Sequence, residues 1–91
     1  MKAGHEFILY VTGMEGNSQI ARRNLKEICE EYLENSYSVR EVDVLVDFDS
    51  ALSDGVFVSP TLVLVFPEPR VTIVGNLGDR AKVLMALRLK A

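Results

Sequence analysis

The spacing of apolar residues along the chain divides it into segments of two kinds. Phe7-Ile8-Leu9-Tyr10-Val11 is continuous, β-branched and aromatic, which predicts a buried first strand. Thr12-Gly13-Met14-Glu15-Gly16 interrupts it with two glycines, and Asn17 or Ser18 then offers a side-chain oxygen to cap a helix. Ala21, Leu25, Ile28, Cys29, Tyr32 and Leu33 recur at three- and four-residue spacing, so the helix is expected to run to about Asn35. Val39 to Val44 reads as a second strand, parallel to the first because a helix connects them. Asp47 to Gly55 holds a short helix or turn at most, resting on Ala51 and Leu52. Thr61 to Phe66, bounded by Pro60 and Pro67, is a near-continuous apolar run expected to be buried on both faces. Pro60 cannot donate to a sheet ladder and belongs at the strand's entry, where a Ser-Pro bond is a candidate for the cis isomer. Pro67-Glu68-Pro69 forces a reversal, and Arg70 to Val74 alternates as an antiparallel partner. Asn76, with Asp79 three residues on, resembles a capping box for a last helix whose apolar side is Val83, Leu84, Leu87 and Leu89. The predicted class is α/β, in the order βαβαββα, with a mixed four-stranded sheet flanked by helices.

Composition narrows what such a chain can do. Its 91 residues are expected to form one domain spanning 1–91, small enough that exposed apolar surface and a homo-oligomer are reasonable expectations. A formal net charge of -3 argues against a nucleic-acid partner, which needs a basic footprint. No apolar run approaches the roughly 20 residues of a spanning helix, so no membrane partner is expected. Met1 to Glu6 does not read as a signal peptide, and a lone cysteine suits a reducing, cytoplasmic setting.

Candidate chemistry is sparse. A thiolate at the first helix's N-terminus would be stabilised by unpaired N–H groups, but residues 12–18 contain no cysteine. Cys29 lies about three turns further along, inside the apolar stripe, as a small buried hydrophobe. Ser18 reads as a cap, not a nucleophile, since no general base accompanies it. His5 has no patterned partner and is expected at the surface. Asp43, Asp47, Asp49 and Asp54 lack calcium-loop spacing, and the glycines at 13, 16, 75 and 78 match no phosphate-binding loop. No catalytic residue, cofactor or metal ligand is therefore assigned. The first helix carries Arg22, Arg23 and Lys26 early and Glu27, Glu30, Glu31 and Glu34 late, against the macrodipole preference. That reversal, with Arg23–Glu27 and Lys26–Glu30 in the weaker orientation for i,i+4 pairs, suggests a basic knob kept for an acidic partner.

The Pro60-Thr61-Leu62 strand entry resembles the cis-proline signature of the thioredoxin fold. Together with Leu9-Tyr10-Val11-Thr12-Gly13, Asn17-Ser18, Val42-Asp43-Val44-Leu45, Gly75-Asn76-Leu77, Asp79-Arg80 and Lys82-Val83-Leu84, it resembles the KaiB family over nearly the whole chain. The same elements resemble the KaiB-like sensory domain of the SasA type of histidine kinase. The resemblance implies a non-enzymatic circadian-clock component whose partner is a KaiC-type ATPase ring, with KaiA or a histidine kinase as further partners. It also implies two accessible folds, a ground-state βαββααβ form and a binding-competent thioredoxin-like βαβαββα form. The implied partner surface covers the first helix and second strand, here Asn17, Arg22, Arg23 and Lys26 with Ser38 and Arg40. The chain departs from the family pattern at Met14-Glu15-Gly16, where Asn-Thr-Pro is usual, and keeps only Arg70 of a basic segment after the proline turn. An acidic C-terminal tail is also missing from the sequence. In the last helix Ala86 replaces a usual glycine, favouring helix by about 0.8–1 kcal/mol. Arg88 replaces an aspartate in the last turn, where a cation suits the helix dipole and adds about 0.3–1 kcal/mol. Ala86 and Arg88 are accordingly expected to hold the chain in the thioredoxin-like fold.

Overall fold

The computed structural model describes residues 4–89. Their order is β1 (His5–Val11), α1 (Gly16–Tyr32), β2 (Tyr37–Asp43), α2 (Phe48–Ser53), β3 (Thr61–Phe66), β4 (Val71–Val74) and α3 (Arg80–Ala86). The four strands form one sheet in the order β2-β1-β3-β4. β1 runs parallel to β2, with Leu9 opposite Glu41, and antiparallel to β3, while β3 and β4 are antiparallel. This is the thioredoxin-like α/β fold, in the order βαβαββα.

Alternation along β1 builds a core on each face of the sheet. Phe7, Leu9 and Val11 join Ala21, Leu25, Ile28 and Cys29 of α1 and Val83 and Leu84 of α3. Tyr10 points the other way and packs with Val42, Ala51, Val56 and Val63. β3 is buried because it sits between β1 and β4 with a core on both sides, which is why its sequence is apolar without alternation. The two faces are covered unequally. The first lies under α1 and α3, whereas the second has only the six residues of α2.

Helix ends account for most of the differences from the sequence expectation. α1 is capped by Glu15, whose carboxylate accepts from Asn17 N and Ser18 N at 3.1 Å each, not by Asn17 or Ser18. Ser18 is buried, and its Oγ accepts from Thr12 N at 3.0 Å, tying the end of β1 to the first turn of α1. α1 stops at Tyr32, short of Asn35, because Glu34 turns into the left-handed region at φ 49. α3 is capped by Asp79, which accepts from Lys82 N at 3.2 Å. Asn76 instead closes a local turn onto Gly78 N at 2.9 Å.

The end of α3 corrects the argument made for Arg88. Ala86 is the last helical residue, Leu87 is the C-cap, and Arg88 lies beyond it at φ 60. Arg88 N donates to Met85 O at 3.1 Å and Leu89 N to Leu84 O at 2.9 Å, which is the paired pattern of a Schellman motif. Leu89 packs against the same core as Leu84, supplying the motif's hydrophobic contact. Arg88 therefore takes the position usually given to glycine and is not placed to interact with the dipole as a last-turn cation. Its guanidinium reaches back to Pro67 O and Pro69 O at 3.3 and 3.4 Å.

Candidate partner-binding surface

The corner where β1 gives way to α1 is the natural place to seek chemistry in this fold. Gly13, at φ 48, turns the chain there and leaves its carbonyl free to accept from Arg22 Nη2 at 2.8 Å. The opposite wall is the strand entry, where the Ser59–Pro60 bond is cis and Pro60 O accepts from Gly75 N at 2.9 Å. The bonds Phe66–Pro67 and Glu68–Pro69 are cis as well. Residues 12–18 contribute no thiol or imidazole to this corner, because the sequence has neither Cys nor His there. Cys29 is fully buried, and burial followed by the charge of Glu30 pushes its thiol up to about 12. A buried thiol raised this far stays protonated at neutral pH, the opposite of the exposed, low-pKa setting of a reactive cysteine. Among the described residues no group of three or more His, Cys, Asp or Glu could hold a metal ion. His5 is half-buried and stacks with Phe7 at 6.1 Å; burial and then Arg88 lower its pKa.

The structure separates the six residues assigned to a partner surface into three places. Arg22, Arg23 and Lys26 share a shallow depression with Met14, Gln19 and Glu41, on the α1 side of the sheet. Arg22 is fixed there, its Nε donating to Glu41 Oε1 at 2.9 Å. That pairing and the nearby Asp43 raise its already high pKa, so its charge is permanent. Arg23 and Lys26 are exposed and have no ion-pair partner among the described residues. Asn17 sits on the other flank of α1, its Oδ1 accepting from Asn76 Nδ2 at 3.2 Å. Ser38 and Arg40 belong to β2 but alternate with Glu41, so they face the α2 side. Glu41, which holds Arg22, shares the open edge strand β2 with Ser38 and Arg40, and β2 pairs with β1 alone; Asn17 lies away from that edge.

The reversed charge order of α1 also has a structural use. Glu27 and Glu31 bind Arg80 of α3, Glu27 at 3.9 Å and Glu31 in a closer contact, and Arg80 lies 5.9 Å over the Tyr32 ring. The expected Arg23–Glu27 and Lys26–Glu30 pairs are not formed among the described residues. The acidic half of α1 thus fastens α3, and the basic half is left facing outward.

The chain is a thioredoxin-like scaffold whose corner, residues 12–18, carries no cysteine and whose lone cysteine is buried in the core. Solved structures share this fold. The N-terminal domain of Synechococcus elongatus SasA matches with a TM-score of 0.79 at 20% identity, covering 97% of this chain and 87% of that one. Mitochondrial thioredoxin 3 of Saccharomyces cerevisiae matches with a TM-score of 0.74 at 19% identity, covering 96% and 80%. Sequence places the chain more narrowly. Residues 8–89 match the KaiB domain, and the chain belongs to the KaiB family. It is 42% identical over 81 residues to a circadian clock oscillator protein KaiB of Microcystis aeruginosa, covering 89% of this chain and 78% of that protein. It is 38% identical over 89 residues to the KaiB of Trichodesmium erythraeum, covering 98% and 86%. Among the described residues no helix is long and apolar enough to cross a membrane.

Proposed function

We propose that this chain is a non-enzymatic interaction module that lays α1 and the open edge of β2 against a KaiC-type ATPase ring, in circadian timing or related signalling. The observation that carries the reading is the outward-facing cationic group Arg22, Arg23 and Lys26. Two of its three charges have no ion-pair partner among the described residues, and they stand beside a strand edge that pairs with no further strand there. Such a face recognises an acidic surface by charge and adds main-chain hydrogen bonds through the strand. Asn17 would extend the contact on one flank, and Ser38 and Arg40 on the other. The binding-competent arrangement is the thioredoxin-like one described above.

Co-elution of the chain with a KaiC-type ring in the presence of nucleotide tests the reading. Arg23→Glu is expected to weaken it at least tenfold, equivalent to about 1.4 kcal/mol, and added salt to weaken it further. Co-elution unaffected by Arg23→Glu, or none at any nucleotide state, would count against it. A histidine kinase is the second reading, favoured by the fold match to the SasA N-terminal domain. It is distinguished by capture of the kinase with no ring binding, whereas a KaiA-type partner would join only once the ring is bound.

A further inference from the structure

The strongest unassigned feature lies on the other face of the sheet. α2 is too short to cover that face, and between it and the loop leading to Pro60 a groove of about 400 Å³ opens. Its walls include Val44, Leu45, Phe48, Leu52, Phe57 and Val58. These side chains are far more exposed than their chemistry favours, with Phe57 at 81%, Leu45 at 74% and Phe48 at 62%. Adjoining Val46 is equally exposed, at 84%. The patch amounts to on the order of 600 Å² of apolar surface, a size that marks interaction sites. Neither Arg22, Arg23 nor Lys26 lines it, so it is distinct from the α1–β2 face.

Charge decides what fits there. From Asp43 to Ser59 the sequence holds four aspartates and no lysine, arginine or histidine. Asp54 is neutralised by Arg70 at 2.7 Å, on the far flank of α2 where Arg40 and Asp49 also lie. In the chain Asp43 and Asp47 bracket Val44 and Leu45 of the groove wall; neither carboxylate lines the groove itself, and Asp43 also faces Arg22, Asp47 Arg40. Their carboxylates accept from Leu45 N at 2.9 Å and Ser50 N at 3.1 Å, and neither forms an ion pair among the described residues. A second copy in this groove would bring like-charged rims together, and an anionic lipid surface would be repelled by the same carboxylates. We infer that the groove between α2 and the 55–59 loop docks an amphipathic segment of another protein, apolar on one side and flanked by lysine or arginine. This goes beyond the docking of a ring on α1 and does not depend on it.

The test uses an 18-residue helical peptide of leucine and lysine, with leucines on one face, and a counterpart carrying glutamate for lysine. Two-dimensional NMR of the whole chain is expected to show saturable shifts confined to residues 43–59 with the lysine peptide, and at least tenfold weaker binding of the glutamate peptide. Phe48→Ser with Phe57→Ser should abolish the shifts, and both sites are exposed enough for the fold to persist, which circular dichroism checks. Asp43→Asn with Asp47→Asn keeps both backbone acceptors while removing the charges, and should weaken lysine-peptide binding about tenfold and flatten its salt dependence. The inference is overturned if the two peptides bind alike, if the asparagine variant binds as well as the parent, or if neither peptide shifts the groove. It is also overturned if sedimentation shows self-association that Phe57→Ser removes, or if anionic phospholipid vesicles bind the groove in preference to the peptide.

Discussion

Two residues apart, positions 86 and 88 should respond to glycine with opposite signs. Ala86 is the last residue of α3 in helical conformation, where glycine costs up to about 1 kcal/mol relative to alanine. Arg88 has φ 60, a conformation that costs an L-residue roughly 1–2 kcal/mol and glycine almost nothing. Comparing Arg88→Gly with Arg88→Ala removes the bonds to Pro67 O and Pro69 O in both, so the difference isolates the backbone. The glycine variant should be the more stable by about 1 kcal/mol, and Ala86→Gly should lose a similar amount. Urea denaturation followed by far-ultraviolet circular dichroism reads both; in a domain this size 1 kcal/mol also moves Tm by about 4–8 °C. If Arg88→Ala proved more stable than Arg88→Gly, residue 88 would be helical and the C-terminal motif described above would be wrong. The arginine itself should fall near or above the alanine variant, by the net worth of two long, exposed contacts, about 0–1 kcal/mol.

Cys29 and Tyr10 are both raised to about 12, from ordinary values of 9.0 and 10.0, each chiefly by burial. The unfolded chain therefore gives up these protons first, so their stabilisation is full below about pH 9 and is lost as pH rises toward 12. About 4 kcal/mol is at stake for Cys29. Urea midpoints measured from pH 8 to 11 should fall, and Cys29→Ala should make the fall shallower; an unchanged slope would refute the assignment. Ser18→Ala leaves Thr12 N without its partner and should cost about 1–3 kcal/mol by urea melt, more than Asn17→Ala, whose side chain is exposed and makes one bond to Asn76.

How much of this was legible depends on where the controlling contact lies. Strand identities and the parallel β1–β2 pairing followed from local runs such as Phe7 to Val11 and from the helix between them, and both stand. Helix ends did not follow, because their signals were unusual. A glutamate caps α1 in place of the expected asparagine or serine, and Glu34 and Arg88 take backbone conformations that a reader of sequence looks for in glycine. The residues assigned to a partner surface were chosen by type, and their types did not show that they lie in separate places. Ser38 and Arg40 follow the period of a strand, which turns them away from Arg22, Arg23 and Lys26, and no periodicity within α1 reveals which side of β2 the helix covers. The groove beside α2 does leave a signal in the sequence: Leu45, Val46, Phe48, Leu52, Phe57 and Val58 are too many apolar residues for a segment holding one six-residue helix.

The placement of charge on α1 gives the fold its division of labour. A helix ordered to suit its own dipole would carry acids at the corner and bases at its far end, where α3 packs. Arg80 makes the reversed order useful, because the acids it needs, Glu27 and Glu31, stand on the late half of α1. With the late half committed to holding α3, the early half is free to keep Arg23 and Lys26 unpaired, at a cost of a few tenths of a kcal/mol that α3 packing offsets. The corner itself is closed by hydrogen bonds: Glu15 capping α1, Ser18 bridging to Thr12, and Arg22 held on Gly13 O. In a redox member of this fold those positions must admit a substrate disulfide to a thiolate. Here hydrogen bonds of Glu15, Ser18 and Arg22 occupy the corner and leave the cationic side of α1 facing outward, the arrangement that the proposed docking face requires.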